Sequence, residues 1–237
     1  YQPVANSLRV KQINTTAAAG YLTKPTVRDG NRYTHTLSMW VKVANPIPVG
    51  ALGTLFEGFT GSNNTYYLIY FNSASNLVIS RDDGVGDGSS VTTSAVFRDP
   101  SAWYHIVIAT DTLQATDTNR IKVYVNGIQQ TLTGTFPSQG KFTNVGAVSS
   151  GSAITNGYGP GIRIASRWQT TFNQNFNGEY SEMHLVDGYQ LDPTLFGKFD
   201  TNNTWVPIEY TGTYGTNGFY LPFDNATTSQ TLGYDAS

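Results

Sequence analysis

Trp103-Tyr104-His105-Ile106-Val107-Ile108-Ala109-Thr110-Asp111, a polar loop, and then Arg120-Ile121-Lys122-Val123-Tyr124-Val125-Asn126-Gly127 decide the fold class. In the first run both alternating sets are apolar: Trp103, His105, Val107 and Ala109 on one side, Tyr104, Ile106 and Ile108 on the other. A strand of this kind sits in mid-sheet with cover above and below. The second run alternates cleanly, with Ile121, Val123 and Val125 opposed to Lys122, Tyr124 and Asn126. That is the pattern of a half-buried antiparallel strand. Asn126-Gly127 follows at once and Ile128-Gln129-Gln130 resumes the β pattern. A type I′ turn needs two residues at positive φ, which Asn-Gly supplies, so a hairpin is predicted here.

Working outward, strands are predicted over Ser7–Val10, Tyr21–Thr23, Tyr33–Val43, Thr54–Phe59, Tyr66–Asn72 and Asn76–Arg81, with a weaker one over Val91–Val96. Two more fall at Ile162–Arg167 and Phe176–Val186. Short strands at this spacing form an all-β meander rather than βαβ units. Asp99-Pro100 is suited to capping one turn before Trp103. Asp192-Pro193-Thr194-Leu195-Phe196-Gly197 carries the signals of a helical turn: an N-cap, a Pro at the first position and a terminal Gly. Phe136 to Gly161 is Gly/Ser-rich and is expected to be a surface excursion. No internal repeat or second-domain boundary is visible, so residues 1–237 are expected to form one domain.

Charged residues make up only 13% of the chain, about half the usual share, so the polar surface must be built from Asn, Thr, Ser, Gly and Gln. A net charge of −2 gives no nucleic-acid footprint. With no cysteine there is neither a disulfide framework nor a thiolate metal site. No apolar run is long enough to span a membrane as a helix. The first residue is Tyr1 rather than Met, so the chain is expected to be processed or to be part of something longer.

Three blocks carry a resemblance. The Trp103–Val107 strand, the Ile121–Gly127 strand and Phe176-Asn177-Gly178-Glu179-Tyr180 together are similar to the laminin G and concanavalin A-like family. The resemblance implies an all-β, antiparallel two-sheet jelly-roll sandwich and a binding-module background. The tail narrows it: Val186-Asp187-Gly188-Tyr189-Gln190-Leu191-Asp192-Pro193, Phe196-Gly197-Lys198-Phe199-Asp200, Trp205-Val206-Pro207 and Tyr210-Thr211-Gly212-Thr213-Tyr214 through Leu221. These, with Asn31-Arg32 and Phe97 to His105, resemble laminin G-like domains of tailed-phage virion proteins, especially those of marine phages. What the resemblance implies is a structural and adhesive module on a virion surface, as capsid decoration or on a tail fibre. Its implied partners are other virion proteins and host or environmental glycans, with homo-oligomers compatible. A dedicated host-receptor lectin is the alternative. The family's pattern also implies that more protein follows Ser237.

Catalysis was tested against the residues themselves. Glucanases of similar fold place carboxylates at alternate strand positions, where they share a face. Glu179 and Glu182 are three apart, which puts them on opposite faces unless a bulge intervenes. His35, His105 and His184 are scattered over three strands, and no Gly-x-Ser-x-Gly elbow is present. The expectation is a non-enzyme. For carbohydrate binding, aromatic faces matter with Asn to orient hydroxyls. Trp168 is the leading candidate platform, with Tyr158, Asn156 and Asn173, and Trp40 and Tyr66 are further aromatics to consider. Asp82-Asp83-Gly84-Val85-Gly86-Asp87-Gly88 is read first as an Asp/Gly turn. Asp82, Asp83 and Asp87 are the residues that would offer hard oxygens to Ca²⁺, and no other cofactor is expected.

Overall fold

The structure is a computed structural model that describes residues 8–10, 20–26, 28–44, 52–60, 65–84, 86–145, 161–167, 174–224 and 233–237. Among the described residues sixteen strands run in chain order: β1 Leu8–Val10, β2 Leu22–Pro25, β3 Thr34–Val43, β4 Gly53–Phe59, β5 Thr65–Phe71, β6 Asn76–Asp83, β7 Ser89–Val96 and β8 Tyr104–Asp111. Then come β9 Ile121–Val125, β10 Ile128–Gln129, β11 Leu132–Thr135, β12 Gly161–Ile164, β13 Gly178–Asp187, β14 Gly197–Phe199, β15 Trp205–Pro207 and β16 Phe219–Leu221. One seven-stranded sheet has the order β1-β13-β3-β8-β9-β10, with β16 also pairing β13. The second has the order β11-β7-β6-β5-β4-β12-β2. All of their pairings are antiparallel.

The core lies between these sheets. Leu37, Met39 and Val41 of β3 and Ile106 and Ile108 of β8 meet Tyr67, Ile69 and Phe71 of β5 and Ile79 of β6. These residues form one alternating set on each strand, and the jelly-roll sandwich is as expected. The opposite face of the first sheet is covered too. Trp40, Trp103 and Trp205 form one apolar cluster there, and Val107, Val186 and Phe196 another. The cover is the tail, folded back over the sheet, with β14 and β15 as its own small hairpin. This explains why β8 is apolar on both sides. Trp103, which precedes β8, is buried in the layer under the tail.

The hairpin turn is as predicted, with Asn126 at φ 49 and Gly127 at φ 77. Gly127 is required twice over, because a Cβ there would lie 2.4 Å from the Trp205 ring. The turn at Asp192 is a 3₁₀ segment over Pro193–Leu195, with the Asp192 carboxylate accepting from the Thr194 amide. At Asp99 the expected single turn is present, with the Ala102 amide donating to the Asp99 carbonyl at 3.3 Å. The carboxylate there accepts from the amide and hydroxyl of Ser101.

Three expectations are corrected. The weak strand Val91–Val96 is a full strand over Ser89–Val96, paired on both sides by β6 and β11. The segment after Phe136 does not simply run over the surface. Thr143, Asn144 and Val145 are buried, and the Asn144 side chain donates to the Asp82 carbonyl. The remainder of that predicted excursion, 146–160, lies outside the described residues. Strands β11, β14, β15 and β16 were not predicted, because each is two to four residues long or lacks alternation.

Candidate binding site

The predicted platform of Trp168, Tyr158, Asn156 and Asn173 lies outside the described residues. What flanks it is visible. Arg167 lies over the Tyr66 ring at 4.7 Å and near Glu57 at 3.8 Å, and donates to Gln174. Trp40 is excluded as a platform, since it is 2% exposed and stacked on His105.

The aspartate run is organised around Arg81. Its guanidinium is buried and pairs with Asp83 at 3.3 Å and Asp87 at 2.8 Å, and it also donates to the carbonyls of Phe142 and Asp87. The Asp82 carboxylate accepts from the Gly84 amide. The loop thus follows its turn reading, with two of the three carboxylates directed at an internal cation. Among the described residues no three His, Cys, Asp or Glu side chains are grouped to hold a metal. Arg81→Met should lower stability by about 2–3 kcal/mol through lost charge-assisted hydrogen bonds, and a urea midpoint equal to the parent's would refute this role.

The three histidines are structural. Trp205 Nε1 donates to His105 Nδ1 at 2.8 Å, so Nε2 carries the ring proton and faces the Ser38 hydroxyl at 2.9 Å. His35 meets Tyr67 edge-on within the core. Burial pushes His35, His105 and His184 each down to about 3. They are neutral near pH 7.

A hollow of 390 Å³ opens on the tail-covered face of the first sheet. It is lined by Glu182 and His184 of β13, Tyr220 of β16, and Glu209, Tyr210 and Tyr214 of the tail. Its origin is a bulge. The pairing of β13 with β3 slips between Ser181 and His184, with Glu182 at φ 46. The outer partner of β13 changes at the same place, from β1 to β16. The sequence reading named a bulge as the condition for Glu179 and Glu182 to come onto one face; the bulge is present, yet only Glu182 of the two lines the hollow. Glu179 remains in register with Lys42 and does not line the hollow.

The walls are ordered by aromatic contacts. Tyr220 stacks on His184 with centroids 4.3 Å apart and rings 5° from parallel. The Tyr214 hydroxyl lies 2.9 Å from His184 Nδ1, so these two nearly parallel rings meet edge to edge. Tyr210 stacks on Phe196 and stands across Tyr214. The Tyr220 hydroxyl donates to Glu182 at 2.5 Å. Desolvation raises the Glu182 carboxyl above its usual range, opposed by that hydrogen bond. Tyr214 and Tyr220 are raised by desolvation first, then by surrounding phenols and carboxylates. No sequence period could have found this site. It joins one bulged strand to tail residues about 30 positions later.

Residues 15–189 match the Laminin_G_3 family, described as the concanavalin A-like lectin/glucanases superfamily. A search of curated protein sequences gave no match. Among solved structures, a SAP-like pentraxin from Limulus polyphemus is similar at TM-score 0.51 and 15% identity, over 81% of this chain and 80% of that one. The mouse laminin alpha1 domains LG4-5 give 0.50 and 13%, over 90% and 47%. Botulinum neurotoxin type C, described with cell entry dependent on two ganglioside molecules, gives 0.51 and 14%, over 79% and 41%. At these identities the likeness shows the fold.

Proposed function

We infer, from the premise that this chain belongs to the concanavalin A-like lectin/glucanases superfamily, that it is a non-catalytic module that binds hydroxylated glycans. One observation carries the reading: a half-open hollow walled by tyrosine rings and carboxylates on a preformed sheet face. Aromatic faces pack against pyranose rings, and carboxylates orient hydroxyls. The similarly folded botulinum neurotoxin type C, whose cell entry depends on two ganglioside molecules, supports it by analogy of fold. The non-catalytic reading rests on the carboxylates. Glu182 is engaged by Tyr220 and Glu179 lies apart, so the pair considered from the sequence is not assembled in the hollow.

The setting is proposed as the surface of a tailed-phage particle, as capsid decoration or fibre, docked on other virion proteins, with residues 1–237 acting as one domain. The tail motifs support this placement. With so few charges, long-range steering is weak. A shallow single-sugar site binds near millimolar, or about −4 kcal/mol, so adhesion comes from many copies acting together. The expected result is that the isolated domain binds glycans weakly while a multivalent display of it is retained on a glycan surface. Micromolar binding by the monomer would instead favour the dedicated lectin. Equal retention with and without the domain would leave a structural role. Reducing-sugar release lost in Glu182→Gln would make it an enzyme.

A further inference from the structure

Resting on that glycan-binding reading, we propose that the hollow selects an amino sugar, its ammonium group held by the Glu182 and Glu209 carboxylates and the faces of the surrounding tyrosines.

The charge of the lining points one way. Glu182 and Glu209 line the hollow, and among the described residues no lysine or arginine does. Burial keeps His184, the remaining candidate cation, neutral. The acidic field extends past the rim. Asp235 and Glu209 both act on Tyr214, and Asp224 acts on Tyr220 and Glu182. Lys24, which pairs with Asp235 at 3.3 Å, also donates to the Gly218 carbonyl at 3.1 Å. In a chain of net charge only −2, this is a local concentration of negative charge rather than a reflection of the whole surface.

The aromatic walls act in the same sense. A ring face is negative by its quadrupole and attracts ammonium groups. Tyr210, Tyr214 and Tyr220 therefore favour the same ligand charge as the two carboxylates. Glu182 adds a further reason. It sits on the bulge, is held partly out of water and accepts a hydrogen bond from the Tyr220 hydroxyl. An arriving cation compensates a desolvated carboxylate, whereas a neutral sugar does so only by its hydroxyls and an acidic sugar opposes it. The Tyr210 and Tyr220 hydroxyls donate to the Thr213 carbonyl and to Glu182, and their oxygen lone pairs can accept from the sugar's own hydroxyls, which a bare ammonium ion would leave unused.

The test is an NMR titration of the purified chain, read on the tyrosine ring resonances, with D-glucosamine, D-glucose, D-glucuronate and tetramethylammonium as separate probes. D-glucosamine is expected to bind at least about tenfold tighter than D-glucose, a difference of about 1.4 kcal/mol. D-glucuronate is expected to leave the rings unmoved, and added salt to shrink the preference. Glu182→Gln and Glu209→Gln should each reduce the preference while the melting temperature reports that the fold is kept. The Glu209 variant covers the case in which the bulge does not tolerate change. Equal affinity for glucosamine and glucose overturns the charge selection and leaves the glycan reading standing. Tetramethylammonium binding as tightly as glucosamine, with glucose silent, overturns the sugar. Silence of glucosamine well above the millimolar range overturns the inference whatever the multivalent display retains.

Discussion

Lowering the pH from 7 to 5 is expected to remove about 6 kcal/mol of folding stability, through three buried histidines. His35, His105 and His184 are each pushed down to about 3 in the folded chain by desolvation, with His184 adding to the effect on His105. Unfolded, each takes a proton near pH 6.5. Below that value the unfolded state binds more protons than the folded one, so stability falls as pH falls. It is fully present above about 6.5 and is lost progressively down to about 3. At pH 5 each histidine accounts for about 2 kcal/mol. That figure requires only that the folded values lie below 5. Glu182 works in the opposite direction, since its raised carboxyl favours the folded state as pH drops. A total near 6 kcal/mol is comparable with the whole stability of many domains. Urea unfolding at pH 7, 6 and 5 measures it. A stability that stays level across that range would show that the rings are solvated or charged in the fold. Replacing His35 with Leu should remove about one third of the slope.

The same residues show how far the sequence could be read. A side-chain period of two was enough to divide Thr34–Val43 and Tyr104–Asp111 into their two faces, but not to say which face of the doubly apolar second strand looks inward. Double-sided apolarity of β8 announced a second cover. What it could not announce was the covering element. Phe196, Trp205, Tyr210 and Tyr214 share no helical or strand period, and they meet β8 and β13 only through long-range contact. The hollow was hidden for the same reason. Its key local feature, the bulge at Glu182, is set by a change of partner strand, which no local residue pattern encodes. The aspartate loop was legible as a turn, but its organiser, Arg81, was not. Arg81 falls on the inward alternating set with Leu77 and Ile79, and that pattern gives no sign that Asp83, Asp87 and the Phe142 carbonyl will meet it at the strand's end.

Trp205→Ala is expected to destabilise the chain by about 3–5 kcal/mol. Trp205 is 7% exposed and lies in the cluster with Trp40 and Trp103. Two glycines make room for it. A Cβ at Gly127 would come within 2.4 Å of the ring and one at Gly197 within 2.5 Å, so the indole is held between the β9–β10 turn and β14. Its Nε1 also supplies the hydrogen bond that His105 Nδ1 accepts. Truncation removes the packing and leaves a buried nitrogen without its donor. Trp205→Phe separates the two effects: most of the ring stays, and the cost should fall to about 1–3 kcal/mol, the penalty of an unsatisfied buried group. The change also bears on function. Trp205 does not line the hollow, yet β15 leads directly into Glu209, Tyr210 and Tyr214, which do. Tail and sandwich are joined chiefly by this aromatic layer, so the tail should detach as a local unit before the sheets unfold. Hydrogen exchange in Trp205→Ala should therefore speed up first for the tail amides bonded to the sheet, such as Asn217, whose amide donates to Asp187. Glycan retention should fall at temperatures where β3 and β8 remain protected. Uniform acceleration across β3, β8 and the tail would mean that the cover and the sandwich unfold as one unit, and that Trp205 holds the whole fold rather than the site.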